Sequence, residues 1–204
     1  MADEFYVTSP VVRAFMADVL QVVMVESSAP RCIERIRPRF AALLATPGWL
    51  PEELACSSPT SKMGGSIASY LLYRREDRSL TLHALVIPPA SITPVHDHLA
   101  WGLVGVYRGE QEEEIFRHGD SPHDTQAEHL ELFERRHLRP GDFYALLPPE
   151  GDIHRVRTTS SDLSISIHLL GNDLGCTWRH TYDVEKGAVS PFRSGYTNVD
   201  CPTD

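Results

Sequence analysis

No Cys-x-x-Cys pair occurs anywhere in the 204 residues. The four cysteines, Cys32, Cys56, Cys176 and Cys201, stand far apart, which argues against a zinc ribbon or a thioredoxin-type redox site. No apolar run is long enough to span a bilayer. The opening residues "MADEFYVTSP" also lack the basic start and apolar stretch of a secretory signal. A soluble protein with free thiols in a reducing cytoplasm is therefore expected. Basic charge is scarce too: 19 Lys and Arg stand against 28 Asp and Glu, a formal net charge of -9. That balance argues against nucleic acid or an anionic membrane surface as a partner. There is no low-complexity tract and no repeat of the solenoid kind.

What is present is an ordinary globular composition, 42% hydrophobic and 23% charged, in a chain of a length suited to one domain. Its pattern changes along its length. In "SPVVRAFMADVLQVVMVE", Ser9 can cap a helix whose first position is Pro10. Val12, Phe15, Met16, Val19, Leu20 and Val23 then follow helical spacing. A second helix is expected over "RCIERIRPRFAALLAT", interrupted or kinked near Pro38. "PGW" and "PEEL" read as a turn and a further helix start. From Ser66 onward the period becomes two. "SIASYLLY", "SLTLHALVI", "WGLVGVYRG", "EEEIF", "HLELFERRHL", "DFYALLP", "DIHRVRTT" and "LSISIHLL" are strand candidates separated by Gly, Pro, Asp and Ser. Such a succession predicts a β-sandwich or barrel. The acidic run "EQEEE" is read as a solvated strand edge, and Arg74 and Arg75 as exposed turn residues.

The ten histidines matter by placement. His96 and His98 sit two apart in "TPVHDHLAWG", so on one strand they would share a face. Two imidazoles buried together are costly unless something bonds to them, and a divalent metal would. "LPPEGDIHRV" supplies a third imidazole, His154, after a Gly-Asp turn. His83, His118, His123, His129 and His137 have no comparable setting, and the last four lie in a polar stretch expected to face solvent.

The order H-x-H and then G-x-x-H resembles the two signature motifs of the cupin superfamily. In that family the histidines point into a small jelly-roll β-barrel, a double-stranded β-helix, and hold a divalent metal. The resemblance implies a barrel from about Ile67 to Leu170, with residues 1–65 as a helical N-terminal region and 66–204 as barrel plus C-terminal extension. It implies His96, His98 and His154 as metal ligands. The fourth ligand of many cupins, a Glu, is absent: Gly102 and Leu103 occupy its positions. Three histidines leave coordination positions open, which suits Fe(II) and dioxygen, while catalytic zinc is chemically possible as well.

"TPVHDHLAWG", "LPPEGDIHRV", "SISIHLLGND" and "RHTYD", in that order, are similar to the thiol dioxygenases, the cysteine dioxygenase group and its bacterial relatives acting on 3-mercaptopropionate. That resemblance implies Fe(II) on the three histidines and oxidation of a small thiol by dioxygen to a sulfinate. Its Ser-x-His-x-Tyr relay maps onto Ser166, His168 and Leu170, so the terminal hydroxyl is missing. The position that is Arg or Gln in the family is Ser69, and the family's Arg downstream of its Tyr is matched by Arg179, the expected counter-ion of an acidic substrate. "LAWGL" holds no cysteine for the cross-link of the eukaryotic enzymes, and Trp101 either walls the pocket or fills the barrel. Two other functions fit the same histidines: a cupin with different chemistry, such as carbon–carbon cleavage or a lyase reaction, and a metal- or ligand-binding module without turnover.

Overall fold

The computed structural model describes residues 2–59, 63–119 and 129–202; His123 lies outside the described residues. Ser9 and Pro10 start the first helix as expected. The Ser9 hydroxyl accepts from the Val12 N–H at 3.4 Å, and α1 (Pro10–Val25) buries Val12, Phe15, Met16, Val19 and Val22 along one stripe. The second helix, α2 (Ala29–Ala45), buries Cys32, Ile33, Ile36, Phe40, Leu43 and Leu44. It runs through Pro38 without interruption. Pro38 lies on the exposed side, as does Glu34, so the carbonyl that loses its partner there can turn to water. "PEEL" forms one 3-10 turn, Glu52–Leu54.

All eight expected strands form, with four more. They are β1 (Glu4–Phe5), β2 (Ala68–Arg74), β3 (Thr81–Ile87), β4 (Val95–His96), β5 (Gly102–Arg108), β6 (Gln111–His118), β7 (Leu130–Leu138), β8 (Phe143–Leu146), β9 (Ile153–Thr158), β10 (Ser164–Leu170), β11 (Arg179–Asp183) and β12 (Ala188–Phe192). Two six-stranded antiparallel sheets result, ordered β1-β2-β3-β10-β5-β8 and β12-β11-β4-β9-β6-β7. Between β3 and β10 the chain passes back and forth between the sheets, apart from the β6–β7 hairpin, and the first and last of these eight strands lie side by side. That is the strand order of a cupin-type jelly roll, in which pairing β3 with β10 closes the path of the chain.

The strands β2, β3 and β10 of the first sheet are buried on both faces, and alternation decides which residue goes where. Ala68, Tyr70, Leu72, Leu82, Ala84, Val86, Leu103, Ile165, Ile167 and Leu169 join the helices in one apolar core. Each large side chain so buried contributes about 1.5–3 kcal/mol. Gly105 marks the closest approach: a Cβ there would sit 2.5 Å from Leu44 Cδ1, so α2 could not pack against β5 with a larger residue. The opposite face, carrying Ser69, Leu71, His83, Leu85, Ser166, His168 and Leu170, looks into the barrel.

Three expectations need correction. Cys176 and Cys201 are bonded, with Cα atoms 5.3 Å apart, so only Cys32 and Cys56 are free thiols. Arg74 is buried rather than exposed, its guanidinium 2.7 Å from Glu4 and 3.3 Å from Asp173. The acidic run is no solvated edge either: Glu113 and Glu114 are buried, Glu113 within the barrel and Glu114 against Arg135 and Arg155. Beyond β12 the chain returns to the first sheet. There Thr197 and Asn198 bond the backbone of Ser69 and Leu71, supplying partners on the edge of β2. The other expected surface histidines, His118, His129 and His137, are exposed.

Candidate metal centre

His96, His98 and His154 are all buried, and their ligand atoms lie within 4.8 Å of one another. Ring centroids are 5.0 Å apart for His96–His98, 4.8 Å for His96–His154 and 4.7 Å for His98–His154. His96 and His154 are register partners on β4 and β9. His98 arrives differently from the sequence expectation, for β4 ends at His96 and the second histidine lies in the turn beyond it.

Hydrogen bonds rather than strand alternation fix that turn. Asp97, between the two histidines, points away from them. It accepts from the His180 N–H at 2.8 Å, the His180 ring at 2.7 Å and the Tyr182 hydroxyl at 3.0 Å, which ties the turn to β11. Asp152, in the Gly-Asp turn before His154, accepts from the backbone N–H groups of His98 at 3.0 Å and Leu99 at 3.1 Å. These bonds hold Leu99 at φ 54°, a left-handed conformation that costs about 1–3 kcal/mol for a residue with a side chain.

Each of the three imidazoles has its Nδ1 engaged. His96 Nδ1 is 2.9 Å from the Pro94 carbonyl, His98 Nδ1 is 3.2 Å from the Asp152 carbonyl, and His154 Nδ1 is 2.5 Å from Glu113 Oε1. A carbonyl or carboxylate can only accept, so each Nδ1 carries the proton and each Nε2 keeps a lone pair. Burial holds His96 well below the ordinary imidazole range and lowers His98 as well, which favours the neutral, ligating form. This donor set fits a divalent metal, because acceptors behind ligating imidazoles both orient them and raise their basicity. Glu113 is the strongest such acceptor. Burial is the largest single influence and pushes its carboxyl upward, but the bond to His154, the nearby charges of His154 and Arg136 and the Tyr144 hydroxyl together hold the group below its usual range.

The other expected site residues divide. Arg179 is buried, donates to the Asp97 carbonyl at 2.9 Å and to Ser194 Oγ at 3.3 Å, and lies 4.5 Å over the Phe192 ring. Its Nε has no partner, and it forms no ion pair with a carboxylate among the described residues. Burial brings its pKa down to about 10, so it stays charged at neutral pH. Ser166 and His168 are joined on β10 at 2.9 Å, both buried. Ser69 is on the inner face of β2, also buried. Leu170 is fully buried among Val104, Leu146 and Leu174, an apolar setting with Tyr144 at its border. Trp101 is not brought to the histidines; it packs on the helix-side core with its indole against Gly171. A cleft of about 580 Å³, lined in part by Phe133, Leu147 and Ile153, includes none of the three histidines, so the donor chemistry and not cleft size marks this site.

Sequence reasoning missed Glu113 and Asp152. The signal for Asp152 was its place beside His154. For Glu113 it was the inward parity it shares with the buried Ile115.

No protein-family model matches the chain. Among solved structures it is similar to a cupin 2 domain-containing protein from Halorhodospira halophila, at 16% identity over 63% of this chain and 77% of that one, TM-score 0.44. A cupin 2 conserved barrel domain protein from Salinispora arenicola is 14% identical over 55% of this chain and 82% of that one, TM-score 0.40. An oxalate oxidase in complex with glycolate is 18% identical over 61% of this chain and 59% of that one, TM-score 0.43. The fold assignment rests on the strand order and not on these likenesses.

Proposed function

We propose that the protein is a non-haem Fe(II)-dependent dioxygenase that oxidises a small thiol carrying a carboxylate to its sulfinate. Both atoms of one dioxygen end on the sulfur, so no outside reductant is required. The observation that supports this most is a trio of Nε2 lone pairs within the electrostatic reach of a buried, charged guanidinium that lacks a carboxylate partner among the described residues. When bound to His96, His98 and His154, Fe(II) supplies a centre able to take a thiolate and dioxygen together. The protein's own residues do the rest. Arg179 holds the substrate carboxylate and so orients the thiol toward the histidines. Leu170 and its apolar neighbours keep water from that side. Ser166 fixes the His168 ring.

A cytoplasmic location belongs to this reading; no helix among the described residues is long and apolar enough to cross a membrane. One observation favours the second reading, a cupin acting on a non-thiol acid: position 170 offers no hydroxyl and lies among apolar side chains.

The test is oxygen uptake by Fe(II)-loaded protein with cysteine, 3-mercaptopropionate, mercaptosuccinate and cysteamine, with products read by mass. Uptake with the carboxylate-bearing thiols and a product heavier by two oxygen atoms is expected, with cysteamine slow. Silence across the panel with iron demonstrably bound refutes the thiol reading and moves the weight to non-thiol cupin chemistry.

A further inference from the structure

His83 is a buried imidazole with no hydrogen-bond partner among the described residues, and its Nδ1 is sealed from solvent. It lies opposite His168 in the β3–β10 register and stacks on that ring at 4.6 Å and 23°. Tyr196, from the returning C-terminal segment, meets it edge-on at 6.0 Å. Leaving a buried polar ring unbonded is costly, and nothing in the apolar packing requires an imidazole here. The residues beside it on β3, Leu82 and Ala84, face the helices, so His83 looks into the barrel.

The His168 ring has a definite polarity. Thr158 donates its hydroxyl proton to the Ile87 carbonyl at 2.7 Å, so Ser164, 2.6 Å from Thr158 Oγ1, must donate to Thr158. The Gln111 amide therefore donates to Ser164 at 3.0 Å and, more weakly, to Ser166 at 3.5 Å. Ser166 has no acceptor for its own proton among the described residues other than His168 Nε2, 2.9 Å away, and donates to it. His168 then carries its proton on Nδ1, an N–H donor with no acceptor among the described residues. Two imidazoles on the first sheet thus present unpartnered nitrogens to the interior. Arg179, on the second sheet, presents an unpartnered Nε.

We propose that His83 and His168 form a second acceptor-binding subsite, so that the substrate carries two oxygen-bearing groups, one paired with Arg179 and one hydrogen-bonded by the stacked imidazoles. The shared chemistry of that second group is an sp² oxygen, in a carboxylate or an amide. This rests on the acidic substrate of the proposed function but not on its sulfur.

The experiment is calorimetric titration of the metal-loaded protein with propionate, succinate and succinamate, for the wild type, His83→Phe and His83→Gln. Wild type should bind succinate and succinamate about tenfold or more tighter than propionate, the gain expected of one buried hydrogen bond to such a group. Succinate ahead of succinamate identifies a carboxylate, and the reverse an amide. His83→Phe keeps the ring stack without its nitrogens; it should erase the advantage of the longer ligands and leave propionate unchanged. His83→Gln, which restores a donor, should recover part of it and serves if the Phe variant does not fold. Equal affinity for all three ligands in the wild type, or an equal loss for all three in the variants, overturns the inference. A succinate preference that disappears in His83→Phe, in a protein that makes no sulfinate from mercaptosuccinate, upholds the subsite and refutes the thiol reading alone.

Discussion

Replacing Glu113 by Gln tests whether the carboxylate behind His154 tunes the metal site. Glu113 is fully buried, with Oε1 at 2.5 Å from His154 Nδ1, while Oε2 has no hydrogen-bond partner among the described residues. Arg136 is the nearest cation at 3.8 Å. Glutamine keeps the volume and can still accept through its carbonyl, so the ring should stay in place. What is lost is the charge that makes His154 a stronger donor to a cation. Loss of such a partner lowers metal affinity by about 10–100-fold, or about 1.4–2.7 kcal/mol. The assay is chelator competition against Fe(II) or Zn(II) at pH 7.5. Glu112→Gln provides the control, since Glu112 is one residue away on the other strand face and pairs with Arg157 at 2.7 Å. A Glu113→Gln affinity within twofold of wild type, or an equal loss in Glu112→Gln, would refute the reasoning.

Two further outcomes follow from buried charge. Arg179→Gln should raise KM for a carboxylate-bearing thiol about tenfold or more and leave cysteamine unaffected; equal effects on both substrates in steady-state kinetics would remove its role as counter-ion. The metal-free protein should lose stability as the pH falls from 7.5 to 5. Burial holds the His83 pKa at about 3, keeps His96 and His168 well below the ordinary 6.5 and lowers His98 as well. Below pH 6.5 the unfolded chain therefore binds protons that the native state refuses, so acid favours unfolding. Over that range His83 alone accounts for about 2 kcal/mol, since only the stretch from the unfolded value down to pH 5 contributes. Urea midpoints across that range check this, and a flat profile would show that the histidines titrate normally in the native state.

The barrel was legible because period-two alternation is strong where a strand is buried on one or both faces, as in "SISIHLL" and "LTLHALV". The elements that escaped are those whose position is set by polar contacts. β4 is two residues long, and its turn is shaped by Asp97 and Asp152. β11, "RHTYD", has no apolar alternation to announce it and is held by the bonds that Asp97 accepts. The Cys176–Cys201 bond joins residues 25 apart through a tail whose path depends on Asn198 and Thr197 reaching β2.

Glu113 and His83 expose the same gap more sharply. Each shares the inward parity of a plainly buried neighbour, Ile115 for the first and Leu85 for the second, so both were assignable to the barrel interior by counting in twos. Taking the acidic run as solvated and His83 as unremarkable followed from residue type, which predicts exposure only for a charge or ring that lacks a reason to be inside. Period fixes the face; chemistry on the facing strand decides whether a polar residue can remain there. Where a facing partner exists, as His154 does for Glu113, the burial is explained by the protein. Where none exists among the described residues, as for His83, the unsatisfied group points to a ligand.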